Sequence, residues 1–103
     1  SAAGLEMLRQ GFERSLLPRT FRIDVVCGPL FEHARTIRAT TAYLLSQGYQ
    51  NLLAYIRRDH RQSRRMAAHL GWFRVGLVPK YIPWQGVLYD AVLYSLKAPQ
   101  EKA

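Results

Sequence analysis

Leu52-Leu53-Ala54-Tyr55-Ile56, then His60-Arg61-Gln62-Ser63, then His69-Leu70-Gly71-Trp72-Phe73-Arg74-Val75-Gly76 is the stretch whose pattern decides the fold. The first five residues are apolar, aromatic or β-branched, and they predict a short strand. Asp59 or His60 can cap a helix from Arg61 to Leu70, whose apolar side is Met66, Ala67 and Leu70. Gly71 ends that helix by taking left-handed backbone, and Trp72 to Val78 reads as a second strand.

Outward from this stretch the same alternation continues. Upstream, Ala34, Ile37, Thr41, Leu44 and Leu45 form a helical stripe from about His33 to Gln47. Gly48 is placed to stop it as Gly71 stops the later helix, and Tyr49 would fold back on its last turn. Phe21 to Cys27 alternates and is rich enough in β-branched residues to be a strand, broken by Gly28-Pro29. Leu5, Leu8, Phe12 and Leu16 recur at helical spacing ahead of it, and Pro18 ends that helix. Downstream, Pro79 to Gln85 reads as a loop stiffened by two prolines and carrying Tyr81 and Trp84. Gly86 to Lys97 is a long strand with Leu88, Asp90, Val92, Tyr94 and Leu96 on one face. The order is α-β-α-β-α-β-β, an α/β or α+β sheet domain whose last two strands can form a hairpin.

The length of 103 residues suits one domain with one core, spanning 1–103. Hydrophobic residues make up 49% of the chain and charged residues 21%, a globular balance and not a disordered one. A lone cysteine, Cys27, excludes an internal disulfide framework and a cysteine-built zinc site. No apolar run approaches the roughly 20 residues needed to cross a bilayer, and no charged-then-apolar leader opens the sequence. These features predict a soluble, cytoplasmic domain without a membrane partner.

The net charge is +8, from 15 Lys+Arg against 7 Asp+Glu, and nearly all of it is arginine. Arginine makes planar two-pronged contacts with phosphate or carboxylate, so phosphorylated ligands, acidic partners and nucleic acid are all compatible with it. Arg57, Arg58, Arg61, Arg64 and Arg65 crowd together with Asp59 as the only acid among them. Such a run is either a solvated helix face or an anion-binding surface. With Tyr55, Trp72 and Phe73 nearby it can grip nucleic acid by phosphate contact and stacking. Those three aromatics are better explained as core, however, and no nucleic-acid module is present.

Other constellations are weaker. Cys27 beside Glu32-His33 has the composition of a nucleophile and base, but a lone cysteine ending an apolar strand reads as a small hydrophobe. Glu32 can act as a general base toward an amine or as a helix N-terminal charge. His60 and His69 do not share a helical face and have no third ligand, so no metal is expected.

The chain from Tyr49 onward resembles the C-terminal half of the GNAT superfamily, the acyl-CoA-dependent N-acyltransferases, and most closely its phosphinothricin acetyltransferase-like branch. His60-Arg61-Gln62-Ser63 is similar to the family's Asn-x-x-Ser turn, and Leu70-Gly71-Trp72 to its Leu-Gly-Phe helix end. Tyr89-Asp90-Ala91-Val92-Leu93-Tyr94-Ser95-Leu96 looks like its last strand. The resemblance implies a GNAT-like mixed sheet flanked by helices and truncated on its N-terminal side. It also implies transfer of an acyl group from acetyl-CoA to a primary amine on a small molecule or protein.

The family's coenzyme loop would be Gly28 to Thr36, opening the long helix, which implies cofactor contacts from Gly28, Phe31, His33, Ala34, Arg35 and Thr36. His60 and Ser63 at the second helix would join them, and Tyr81 and Trp84 would line the acceptor side. Glu32 and Tyr89 are the candidates for acid–base work. The sequence departs from the family in three ways. Phe31 and His33 stand where the loop's two glycines belong. Ala67 replaces the tyrosine that protonates the leaving thiolate in many members. Only the helix from Leu5 to Leu16 precedes Phe21, where the family has a longer N-terminal half. An incomplete sheet leaves a strand edge open, so a homodimer is expected. The alternatives are a catalytically inactive GNAT-fold interaction domain and a basic nucleic-acid-binding protein.

Overall fold

The computed structural model of the chain describes residues 19–25, 31 and 33–99. The expected helix from Leu5 to Leu16 and the segment Val26, Cys27, Gly28, Pro29 and Leu30 lie outside the described residues, as does Glu32. Strand β1 (Thr20–Val25) is followed by helix α1 (Ala34–Ser46), β2 (Asn51–Arg57), α2 (Arg61–His69), β3 (Phe73–Trp84) and β4 (Val87–Lys97). The four strands form one sheet in the order β1-β2-β4-β3. β1 and β2 run parallel across the α1 crossover, Thr20 opposite Asn51 and Val25 opposite Ile56. β4 inserts antiparallel beside β2 and pairs on its other edge with β3. The mixed sheet with its two helices is the α/β fold class read from the pattern.

Both helices end alike. Gly48 at φ 89° donates its amide to Leu45 and Tyr49 donates to Leu44; Gly71 at φ 86° donates to Ala68 and Trp72 to Ala67. This paired Schellman closure needs left-handed backbone at one residue, which glycine supplies without a Cβ clash.

The core lies between the helices and one face of the sheet. Leu52, Ala54 and Ile56 alternate onto that face and are fully buried with Val92, against Ile37 and Leu44 of α1 and Ala67 of α2. Trp72 closes the end of α2 into the core, where its ring meets the edge of Phe31 at 5.4 Å between centroids. Val92 and Tyr94 are buried and Leu96 packs against them, whereas Leu88 is exposed.

One element differs from the sequence reading. Pro79 to Gln85 is not a loop: β3 continues to Trp84, and the hairpin turn is Gln85-Gly86, both at positive φ. Two positive-φ residues form the turn type whose twist matches paired strands. The prolines are tolerated because β3 is an edge strand, where a missing amide leaves no neighbour unpaired. The register shifts between Val78 and Ile82, so the strand bulges there. Lys80 sits in that bulge at φ 46°, and its amide donates to Asp90 Oδ1 at 2.9 Å. Phe73, read from sequence as core, is 69% exposed on the sheet face away from the helices. No helix among the described residues is long and apolar enough to cross a membrane.

Candidate functional site

A strand–helix–strand unit with parallel strands places the carboxyl ends of the strands and the amino ends of the helices that follow them at one edge of the sheet. Here β1 ends at Val25 and β2 at Arg57, while α1 starts at Ala34 and α2 at Arg61. His33 is the N-cap of α1, with extended backbone (φ −128°, ψ 118°), and His60 is the N-cap of α2. Neither forms a side-chain cap hydrogen bond, and neither helix has an acid in its first turn. Asp59, expected as a possible cap, pairs with Arg57 instead. Both helices therefore present their N-terminal amides and positive dipole ends with no acid in the first turn and no side-chain cap. An anion suits such an edge.

Ser63 adds a polar atom at this edge. It lies in the first turn of α2, is fully buried, and its Oγ has no hydrogen-bond partner among the described residues. The sequence reading has this hydroxyl satisfying free helix amides; the structure does not make that bond. A buried hydroxyl left unpaired is unfavourable by about 1–3 kcal/mol, so it is either tolerated strain or a group held for a ligand.

The face of the sheet away from the helices carries a layer of arginines lying against pairs of aromatic rings. Arg57 is nearly buried, with its guanidinium 4.1 Å from the centroid of Trp84 and 4.9 Å from that of Tyr89, and its Nε bonds to Asp59 Oδ1 at 2.6 Å. Arg22 from β1 repeats the arrangement over Tyr55 at 4.9 Å and Tyr81 at 4.8 Å, those two rings being stacked 4.5 Å apart. Arg57 Nη1 and the Tyr81 hydroxyl are buried without hydrogen-bond partners among the described residues.

The arginine run is consequently not one solvated helix face. Arg57 turns into the aromatic layer, Arg58, Arg61 and Arg64 line a cleft beside β3 and β4, and Arg65 lies with Gln62 and Met66 on the outer side of α2. Sequence reasoning missed Arg57 and Tyr55 as members of the aromatic layer. The signal was present: strand alternation over β2 puts Tyr55 and Arg57 on one face, opposite the buried Leu52, Ala54 and Ile56.

Among the sequence-predicted residues, Gly28 and Glu32 lie outside the described residues. Phe31 is fully buried against Trp72, whereas His33, Arg35 and Thr36 are exposed at the start of α1 with Ala34 half-buried. His60 and Ser63 open α2 at the same edge. Tyr81 and Trp84 belong to the face opposite the helices, stacked on Tyr55 and close to Tyr89 respectively. Tyr89 stands over Arg57. No group of three or more His, Cys, Asp or Glu side chains is gathered among the described residues.

No protein-family model matches the chain, and no curated protein matches its sequence. Solved structures do match its fold. A phosphinothricin N-acetyltransferase-like protein superposes with a TM-score of 0.64 at 18% identity, over 85% of this chain and 58% of its own. The ribosomal-protein-S5-alanine acetyltransferase of Vibrio fischeri superposes at 0.58 with 23% identity, covering 62% of this chain and 36% of its own. The microcin C7 self-immunity acetyltransferase, solved with acetyl-CoA and AMP, gives 0.56 at 23% identity, covering 63% and 37%. The chain thus spans little more than a third of the length of the last two, and its fold is that of the GNAT acetyltransferases.

Proposed function

We propose that residues 1–103 form one GNAT-type N-acetyltransferase domain that transfers an acetyl group from acetyl-CoA to a primary amine. The observation that carries this reading is the edge where α1 and α2 both begin without an acid or a side-chain cap, at the carboxyl ends of parallel β1 and β2. It occurs in a fold shared with an acetyltransferase solved with acetyl-CoA.

The residues present fit the coenzyme. The missing loop glycines matter only if side chains block the approach of phosphate to backbone. The Phe31 ring is withdrawn into the core against Trp72, and His33 projects to solvent. Gly28, Phe31, His33, Ala34, Arg35 and Thr36 would hold the pyrophosphate, chiefly through backbone amides and the α1 dipole. His60 and Ser63 would contact the coenzyme from α2, the unpaired Ser63 hydroxyl gaining a partner.

Acetyl-CoA supplies the acetyl group as a thioester, and the acceptor amine takes it by direct attack. Tyr81 and Trp84 shape the acceptor side. Glu32 is the candidate base toward the amine. Tyr89, beside Arg57, is the candidate acid, since Ala67 occupies the usual tyrosine position. The protein works in the cytoplasm as a homodimer, a second copy covering edge strand β3 with its exposed Phe73 and Val75.

Isothermal titration of the chain with acetyl-CoA at moderate salt tests the reading, with oligomeric state checked by light scattering. Stoichiometric binding in the micromolar range supports it. No heat and no change in melting temperature at millimolar ligand overturns it.

A further inference from the structure

The arginines that do not enter the aromatic layer converge on a cleft of about 780 Å³ between the first turns of α2 and the β3–β4 hairpin. Arg58 comes from the turn after β2, Arg61 and Arg64 from successive turns of α2, and Arg74 from β3; Leu88 and Tyr89 supply an apolar wall.

Two carboxylates share the cleft, and both are already engaged. Asp90 pairs with Arg58 at 3.5 Å and accepts the Lys80 amide, while Asp59 is held by Arg57, which is not among the residues lining the cleft. Arg61, Arg64 and Arg74 have no carboxylate partner among the described residues. Arg64 Nε is buried there with no hydrogen-bond partner. A buried guanidinium donor left unpaired beside two further uncompensated guanidiniums is unfavourable in the empty cleft, and an anion relieves it. With Asp90 paired to Arg58 and Asp59 to Arg57, three guanidiniums of the cleft stay uncompensated, enough to balance a doubly charged group.

We infer that this cleft binds a phosphomonoester dianion, its three terminal oxygens taken by Arg61, Arg64 and Arg74 and its organic body lying against Leu88 and Tyr89. A phosphodiester backbone fits less well, because each of its phosphates carries a single charge and its binding needs a continuous basic track. The inference does not depend on acyl transfer, although the cleft shares Tyr89 with the proposed acceptor side: the phosphate is recognised by charge and the organic body by the apolar wall.

Titration calorimetry of the intact chain with phenyl phosphate and inorganic phosphate at pH 7.5 tests it. Saturable binding is expected, tighter for phenyl phosphate. It should weaken toward pH 5, since a phosphomonoester gives up its second charge near pH 6. Arg64→Gln and Arg74→Gln should each weaken binding about tenfold while leaving the far-ultraviolet circular dichroism unchanged. Asp90→Asn keeps the oxygen that accepts the Lys80 amide but removes a negative charge, so it should tighten binding several-fold. Any of four results overturns the inference: no saturable binding of either probe, unaltered affinity in the Arg64→Gln/Arg74→Gln double variant, displacement of phenyl phosphate by dephospho-coenzyme A, which lacks the 3′-phosphomonoester, or displacement by a single-stranded oligonucleotide without a terminal phosphate. If phenyl phosphate saturates the cleft and acetyl-CoA then binds nowhere else, the cleft stands and the acyltransferase reading falls.

Discussion

The two faces of the sheet are built from the same four strands by different physics. The face under the helices is apolar and closed: Leu52, Ala54, Ile56 and Val92 are fully buried and interlock with α1 and α2. The opposite face is held by arginines lying against pairs of aromatic rings, and it retains buried polar atoms without partners among the described residues at Arg57 and Tyr81. Hydrophobic burial is non-directional and stabilises wherever area is removed from water. Cation–π contacts are directional, weaker, and leave the guanidinium edge free to meet another group. The first face therefore carries the stability of the fold, and the second, with the strand ends beside it, is where unsatisfied chemistry collects.

The sharpest way to break this comparison is to truncate adjacent residues on opposite faces. Ile56→Ala should destabilise by about 2–5 kcal/mol in urea unfolding, because the surrounding side chains cannot collapse into the space. Tyr55→Ala, one residue earlier, should have a clearly smaller effect; equal losses would mean that the faces share the load. Arg57→Ala should follow at about 2 kcal/mol, from two lost ring contacts and the lost packing of its aliphatic stem. Arg57→Lys should recover less than half of that loss, since an ammonium cannot lie flat against Trp84 and Tyr89.

Gly71→Ala should destabilise by about 1 kcal/mol through backbone strain at φ 86°, with nothing within 4 Å for the new methyl to meet. Gly48→Ala carries the same strain and also presses on Arg19 Nη1 at 3.1 Å, the movable end of a side chain, so the two variants should agree closely in melting temperature. The smallest effect on stability is expected for Ser63→Ala. Removing an unpaired buried hydroxyl should leave stability within about 1 kcal/mol of the parent or raise it. The same variant should bind acetyl-CoA more weakly by calorimetry, which separates a hydroxyl kept for a ligand from one that is merely tolerated.

Much of the helical layer was legible in the residues. Helical stripes at Ile37 and Leu44, glycine stops at 48 and 71, and the alternation of Leu52, Ala54 and Ile56 are local signals, since helix and strand periods are properties of neighbouring residues. Pro79 and Pro83 misled the reading because proline punctuates most loops; only the position of β3 at the sheet edge explains why they lie within a strand. The edge where His33 and His60 cap their helices was legible as a place, through the order of strand and helix. Its electrostatic character was not, because the arginine run looks uniform along the sequence.

By itself the sequence determined the order of the elements from Thr20 to Lys97, the ends of the two helices among them, the apolar stripe facing those helices and the excess of positive charge. Tertiary structure decided the rest: that Arg57 is buried against Trp84 and Tyr89, that Arg58, Arg61 and Arg64 meet Arg74 across a cleft, and that Ser63 has no partner among the described residues. The reason is physical. Periodicity and turn chemistry are set by residues a few positions apart, whereas the surroundings of a charge depend on which strands become neighbours, and β4 lies between β2 and β3 only after the chain has closed its hairpin.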